Sequence, residues 1–247
     1  MATSASVCPV CGGTGWRAEG DPRGPVVPCE CRQRERTARL QEAAGIPVKY
    51  RNCVLGPSFD TYWGGHEGKR NDSLWLALNS AEKYAAEYVP GEARGLLFQG
   101  PPGVGKTHLL VGLLKRLCER GIECLFLDYQ ELLRQIQNSY NTTVHTTEYE
   151  LLQPVLSTEV VAIDDLGNNR ISDWVEDTVT YVVNHRYSSN RPTLFSANLS
   201  EEGLQGKPGE RFTQATFLER LGPRVASRLK EMCAVVSLKG PDYRARR

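Results

Sequence analysis

From residue 95 onward the chain alternates between two apolar rhythms. Short continuous runs, GLLFQ (95–99), IECLFLD (122–128), VVAID (160–164), TLFSAN (193–198) and AVVSL (234–238), have the length and composition of strands buried on both faces. Between them lie stretches whose apolar residues recur at the helical period: 107–120, closed by Gly121; 129–140; a second piece near 147–157; 172–187; and one around 213–231. This alternation predicts an α/β fold with a five-stranded, mostly parallel sheet covered on both faces. Ligands of such sheets bind at the carboxyl ends of the strands.

Upstream the pattern changes. Residues 72–89 carry apolar positions at helical spacing, with Asp72 or Ser73 as N-cap and Pro90-Gly91 as the stop. RQRERTARLQEAA (32–44) predicts a charged helix ended by Gly45 and Pro47, and residues 51–72, rich in Gly, Pro, Asn and aromatics, read as a linker. The expected organisation is an N-terminal region (1–50), a linker (51–72) and a main domain (73–247). No internal repeat or low-complexity tract interrupts it.

Composition adds limits. The 247 residues are 40% hydrophobic and 24% charged with a net charge of +1, which gives no global pull towards nucleic acid or a membrane. The exception is local: residues 220–247 hold eight basic side chains against two acidic ones, the minimum footprint for phosphate binding. No apolar stretch approaches the ~18 residues that span a bilayer, and the opening MATSASVCPV lacks the basic and apolar regions of a secretory signal. The expected location is cytoplasmic, where thiols stay reduced.

Eight cysteines then need a reason other than disulfides. Cys8 and Cys11 form a Cys-x2-Cys knuckle followed by glycines, and Cys29 and Cys31 a tighter Cys-x-Cys pair. The 17 residues between the pairs are too polar to build a core, so a structural Zn2+ on these four thiolates is the expected staple. Four cysteine ligands leave no open position for catalysis. Cys53, Cys118, Cys124 and Cys233 read as small core residues.

The strand 95–99 runs into Gly100, Pro101, Pro102, Gly103, Val104, Gly105, Lys106 and Thr107, the pattern Gly-x4-Gly-Lys-Thr, with His108 next in the helix. The glycines let a loop wrap phosphates with inward N–H groups, and the helix adds its N-terminal dipole. Lys106 reaches the β- and γ-phosphates of ATP and the Thr107 hydroxyl ligates Mg2+. Asp164, ending a later strand, is expected to hold the same Mg2+, and Asp165 to orient or deprotonate the attacking water. Most ATPases of this design carry glutamate there. The shorter Asp165 predicts slow turnover. No Asn-Lys-x-Asp guanine motif follows, which disfavours GTP.

With GPPGVGKT, VVAIDDLG, RPTLFSAN, RVASRL and GPDYR in that order, the sequence from about Leu74 to Arg244 resembles the AAA+ ATPases of the bacterial helicase-loader group (DnaC and DnaI) and the related IstB transposition helpers. The resemblance implies a P-loop αβα sandwich with a five-stranded parallel sheet and no full helical lid. It places Asn198 near the γ-phosphate or the water. Arg228 would act in trans on a neighbour's ATP, with Arg224 able to share that role, and Arg244 would make a sensor-2-like contact. It implies loading of a replicative helicase hexamer onto single-stranded DNA, self-association on ATP and DNA, and hydrolysis stimulated by DNA or partner. An IstB-like transposition helper is the alternative within the fold. A zinc-containing nucleic-acid-binding protein with a non-hydrolysing site is the alternative from another class, and intact Lys106, Thr107, Asp164 and Asn198 argue against it.

Overall fold

The computed structural model describes residues 7–20, 24–56, 72–92, 94–140, 147–168, 172–199 and 216–246. Five strands, β3 (Gly95–Gln99), β4 (Cys124–Asp128), β5 (Val160–Leu166), β6 (Thr193–Ala197) and β7 (Cys233–Ser237), form one parallel sheet in the order β4-β5-β6-β3-β7. Their side chains explain the geometry. β3, β5 and β6 are apolar and buried nearly throughout, as strands covered on both faces must be.

One face of the sheet packs against α1 (Glu30–Ala43), α2 (Asp72–Glu87) and α3 (Lys106–Glu119), around Leu74, Ala81, Phe98, Leu110 and Leu114. The other packs against α4 (Tyr129–Ser139), α5 (Glu148–Ser157), α6 (Asp173–Ser188) and α7 (Phe217–Met232), around Ile136, Val155, Val183, Phe195 and Val225. Helix starts are specified locally. Asp128 accepts the N–H of Glu131, Ser172 that of Val175, and Thr147 and Thr216 each form a capping box with the glutamate three residues on. Helix α7 breaks at Gly222 (φ 78°), where the Glu176 carboxylate fills the space a Cβ would need, and Pro223 opens its second segment. Residues 213–215, expected at the start of that helix, lie outside the described residues.

Three features were not expected. Residues 16–18 and 26–28 pair antiparallel as β1 (Trp16–Ala18) and β2 (Val26–Pro28), three residues each and too short for a readable period. At the start of the expected linker (51–72), Cys53 and Leu55 join the first core, while 57–71 lie outside the described residues. The third is Arg186, fully buried on α6. It donates to the carbonyls of Val155, Thr158, Glu159 and Pro192 and to the Thr193 hydroxyl, at 2.7–3.1 Å. Cys53, Cys118, Cys124 and Cys233 are buried as expected.

Candidate nucleotide site

The loop between β3 and α3 rises from an interior strand of the sheet, between β6 and β7. Lys106 is buried and its Nζ donates to the carbonyls of Gly100 (2.9 Å) and Pro101 (2.7 Å), so the loop folds back over its own lysine. Burial pulls the Lys106 ammonium down to about 8, against the opposing pull of the Asp165 and Asp164 carboxylates. The outer wall of the loop is the C-terminal segment. Tyr243 N–H donates to Gly103 C=O at 3.1 Å, and a Cβ on Gly103 would stand 1.8 Å from Asp242 Oδ1. Gly103 also takes φ 79°, the left-handed region in which a side chain would be strained.

Asp164 and Asp165 lie where the register between β5 and β6 shifts, between Ile163 and Leu166, and Asp165 takes the left-handed conformation (φ 57°). Adjacent strand residues normally face opposite sides of a sheet. Here both reach the same neighbouring strand end. Ser196 Oγ donates to Asp164 Oδ1 and accepts the Asp165 N–H at 3.0 Å, while Asn198 Nδ2 donates to Asp165 Oδ1 at 2.9 Å. Thr107 Oγ1 lies 2.9 and 3.1 Å from the two oxygens of Asp164. Burial raises the Asp164 carboxyl, and the Ser196 and Thr107 hydroxyls pull it back. A hydroxyl touching a buried carboxylate is a hard oxygen donor set of the kind Mg2+ takes. Thr107 and Asp164 therefore fit that ion.

Lys106, Thr107, Asp164, Asp165 and Asn198 thus converge. Of the other expected residues, Arg244 stays beside the loop, near enough to act on the Lys106 charge, while His108 and Arg228 have other partners. His108 turns to the Val54 carbonyl (3.0 Å). Arg244 is exposed and lies 3.7 Å from Asp242, with its N–H on the same carboxylate. Arg228 is on the outer face of α7, bound to Asn184 and Glu231. Ser196 was not singled out from the sequence, although a signal existed. A strand's period of two carries it to the same side as Asn198.

The four N-terminal cysteines meet at a second place. β1 pairs with β2 so that the knuckle faces Cys29, which caps α1, and Cys31 in its first turn. All four Sγ atoms lie within 4.8 Å of one another, with Cys8–Cys29 at 3.9 Å and Cys11–Cys31 at 3.4 Å. Tetrahedral Zn–S bonds of about 2.3 Å require S···S edges of about 3.8 Å. The site fits zinc. Helix α1 docks on the far end of α3: Gln33 and Arg36 donate to the carbonyls of Glu119 and Gly121 at 2.8 and 3.1 Å. Lys106 opens that 14-residue helix, so the docking point of α1 lies about 20 Å along it from Lys106.

A family model described as IstB-like ATP binding protein matches residues 84–247. The replicative helicase loader DnaC of Buchnera aphidicola (subspecies Acyrthosiphon pisum) is 30% identical over 173 residues, 70% of this chain and 66% of its own length. DnaC of Escherichia coli K12 is 27% identical over 199 residues, 79% of this chain and 76% of its own. A crystal structure of the DnaC helicase loader superposes with a TM-score of 0.60 at 31% identity, covering 78% of this chain and all of that one. A DnaI structure shares the fold at a TM-score of 0.60, 22% identity, and 83% and 98% coverage. No described helix is long and apolar enough to cross a membrane.

Proposed function

Because the chain belongs to the IstB-like ATP-binding family, we propose that it is an ATPase that loads a replicative DNA helicase onto single-stranded DNA, with ATP acting largely as a switch. The observation that carries the ATPase part is the convergence of Thr107, Asp164, Asp165 and Asn198 at the strand ends beside Lys106. The loader part rests on likeness to DnaC across the whole of its solved chain.

In this reading the Gly100–Thr107 loop cradles the triphosphate and Lys106 exchanges its two loop carbonyls for phosphate oxygens. Thr107 and Asp164 would hold Mg2+, which supplies charge neutralisation on the phosphates. Asn198 fixes one oxygen of Asp165, and the other has no hydrogen-bond partner among the described residues. That oxygen takes the proton of a water whose oxygen bonds to the γ-phosphorus as the bond from phosphorus to the β-bridging oxygen breaks. Arg228 completes the site from the next subunit and Arg244 approaches the phosphates from the C-terminal segment.

The zinc-bearing N-terminal region, far from the phosphate loop, contacts the helicase. The test is to mix the full chain with the replicative helicase of its own genome and primed or circular single-stranded DNA. Stable complex formation and ATP-dependent transfer of helicase to DNA are expected. Failure to bind the helicase, with capture of a transposase instead, would replace this reading by the transposition-helper one.

A further inference from the structure

The second segment of α7, after the Gly222 break, carries Arg224 and Arg228 on one helix face. Their surroundings differ. Arg224 is exposed and has no ion-pair or hydrogen-bond partner among the described residues. Arg228 is fully engaged within its own chain. Its Nε donates to Asn184 Oδ1 at 3.2 Å and its Nη1 to Glu231 Oε2 at 2.6 Å, and its Cζ lies 4.3 Å over the Tyr187 ring. Tyr187 donates its hydroxyl to the remaining Glu231 oxygen, so carboxylate, ring and guanidinium form one closed group.

These contacts have a consequence for an arginine that is to serve a neighbour. Its charge is already neutralised and two of its donor directions are spent. The group is also open to solvent, with the Arg228 and Glu231 side chains 33% and 53% exposed. Exposed pairs of this kind are weak. A terminal phosphate offers more negative charge and more acceptor oxygens than one carboxylate, so it can take the guanidinium over.

We infer that Asn184, Tyr187 and Glu231 form a clasp that holds Arg228 back in the free subunit and yields it to the terminal phosphate of a nucleotide bound on a second copy of this chain. The inference rests on the trans role of Arg228 proposed above. It adds that docking of subunits, rather than ATP binding by one subunit, turns the arginine on. Glu231 and Tyr187 are thus positioning residues for a reaction that neither touches.

The test uses the full chain. Glu231→Gln keeps the shape of the clasp and removes its charge. ATP-dependent self-association should then occur at about fivefold lower protein concentration, the worth of one exposed ion pair, and hydrolysis without DNA should rise in step. ATP affinity of the isolated subunit should not move. Tyr187→Phe, which keeps the ring and frees only the hydroxyl, should shift assembly the same way by less. Adding Arg228→Ala should erase both gains, which a merely structural role for Glu231 would not produce. In parallel, Arg228→Ala and Lys106→Ala proteins are mixed, one supplying a nucleotide pocket and the other an arginine. Recovered activity in the mixture with an unshifted Glu231→Gln protein overturns the clasp alone. A mixture that co-assembles and stays inactive overturns the trans role of Arg228 and the clasp with it.

Discussion

The two ends of this protein are ordered by different means. Among the described residues of 7–31 only Cys29 is buried, and Val7, Val10 and Val26 are 70%, 67% and 67% exposed. Two three-residue strands cannot hold themselves together. The sheet domain instead buries two apolar clusters, one on each face. With zinc bound, order in the first region would depend on a cross-link through four sulfurs, while order in the second is intrinsic to its core. A single chain can therefore lose one without the other, and that independence is open to experiment.

The strongest break is removal of the metal. The protein should carry one zinc, and Cys8→Ser with Cys11→Ser should abolish it. Structural zinc sites of this type supply on the order of 10 kcal/mol of folding free energy, so residues 7–20 and 24–28 should lose amide-exchange protection entirely while the melting of the sheet domain holds. Metal analysis finding less than half an equivalent in the unsubstituted, reduced protein would sink the zinc assignment.

The converse break is Arg186→Ala. It leaves four carbonyls and a hydroxyl without their donor and opens a cavity. A loss of about 3–5 kcal/mol follows for a buried, fully hydrogen-bonded charge, or a fall of about 10 °C in the melting temperature. Zinc content should be unchanged. Calorimetry beside metal analysis decides it, and a coupled loss of both would contradict the separation.

Within the sheet domain the comparison sharpens to binding against chemistry. Asp165→Asn should spare ATP binding and slow hydrolysis by about 10^2-fold, the usual worth of a positioned base. Equal hydrolysis by variant and parent would remove Asp165 from that role. The smallest expected effect is on pH. Burial holds Lys106 at about 8 in the free protein, and phosphate favours its charged form. Above that value binding must first add a proton, so ATP affinity should fall by about tenfold between pH 7 and pH 9. Titration calorimetry should show proton uptake growing over the same range. A flat affinity would mean that Lys106 stays charged throughout.

The same contrast explains what the sequence could disclose. Strands β3, β5 and β6 are legible because burial on both faces forces unbroken apolar runs. The phosphate loop is legible because its glycines answer to a geometry that few other residues allow. β1 and β2 are not, since cysteine spacing rather than side-chain periodicity brings WRA and VVP together. Arg186 reads as one more polar position in a helix, and nothing local announces that the carbonyls of Val155, Thr158, Glu159 and Pro192 converge on it. Asn198 and Arg228 are legible by resemblance alone. The structure sets Asn198 against Asp165 and Arg228 against Asn184, neighbours distant in sequence.

The two regions are joined along α1, by Gln33 and Arg36 on the end of α3 and by one contact on the sheet. β4 is an edge strand, and the N–H of Phe126 on it donates to the carbonyl of Ala44, directly after α1, at 2.7 Å. The far end of α1 is part of the cysteine cluster itself, through Cys29 and Cys31. In mechanical terms α1 is a stiff arm about 21 Å long, with the cysteine knuckle at one end and holds on α3 and on the sheet along its length. A pull on the knuckle would be shared between α3, the helix that starts at Lys106, and β4, the strand that pairs Asp128 with Asp164.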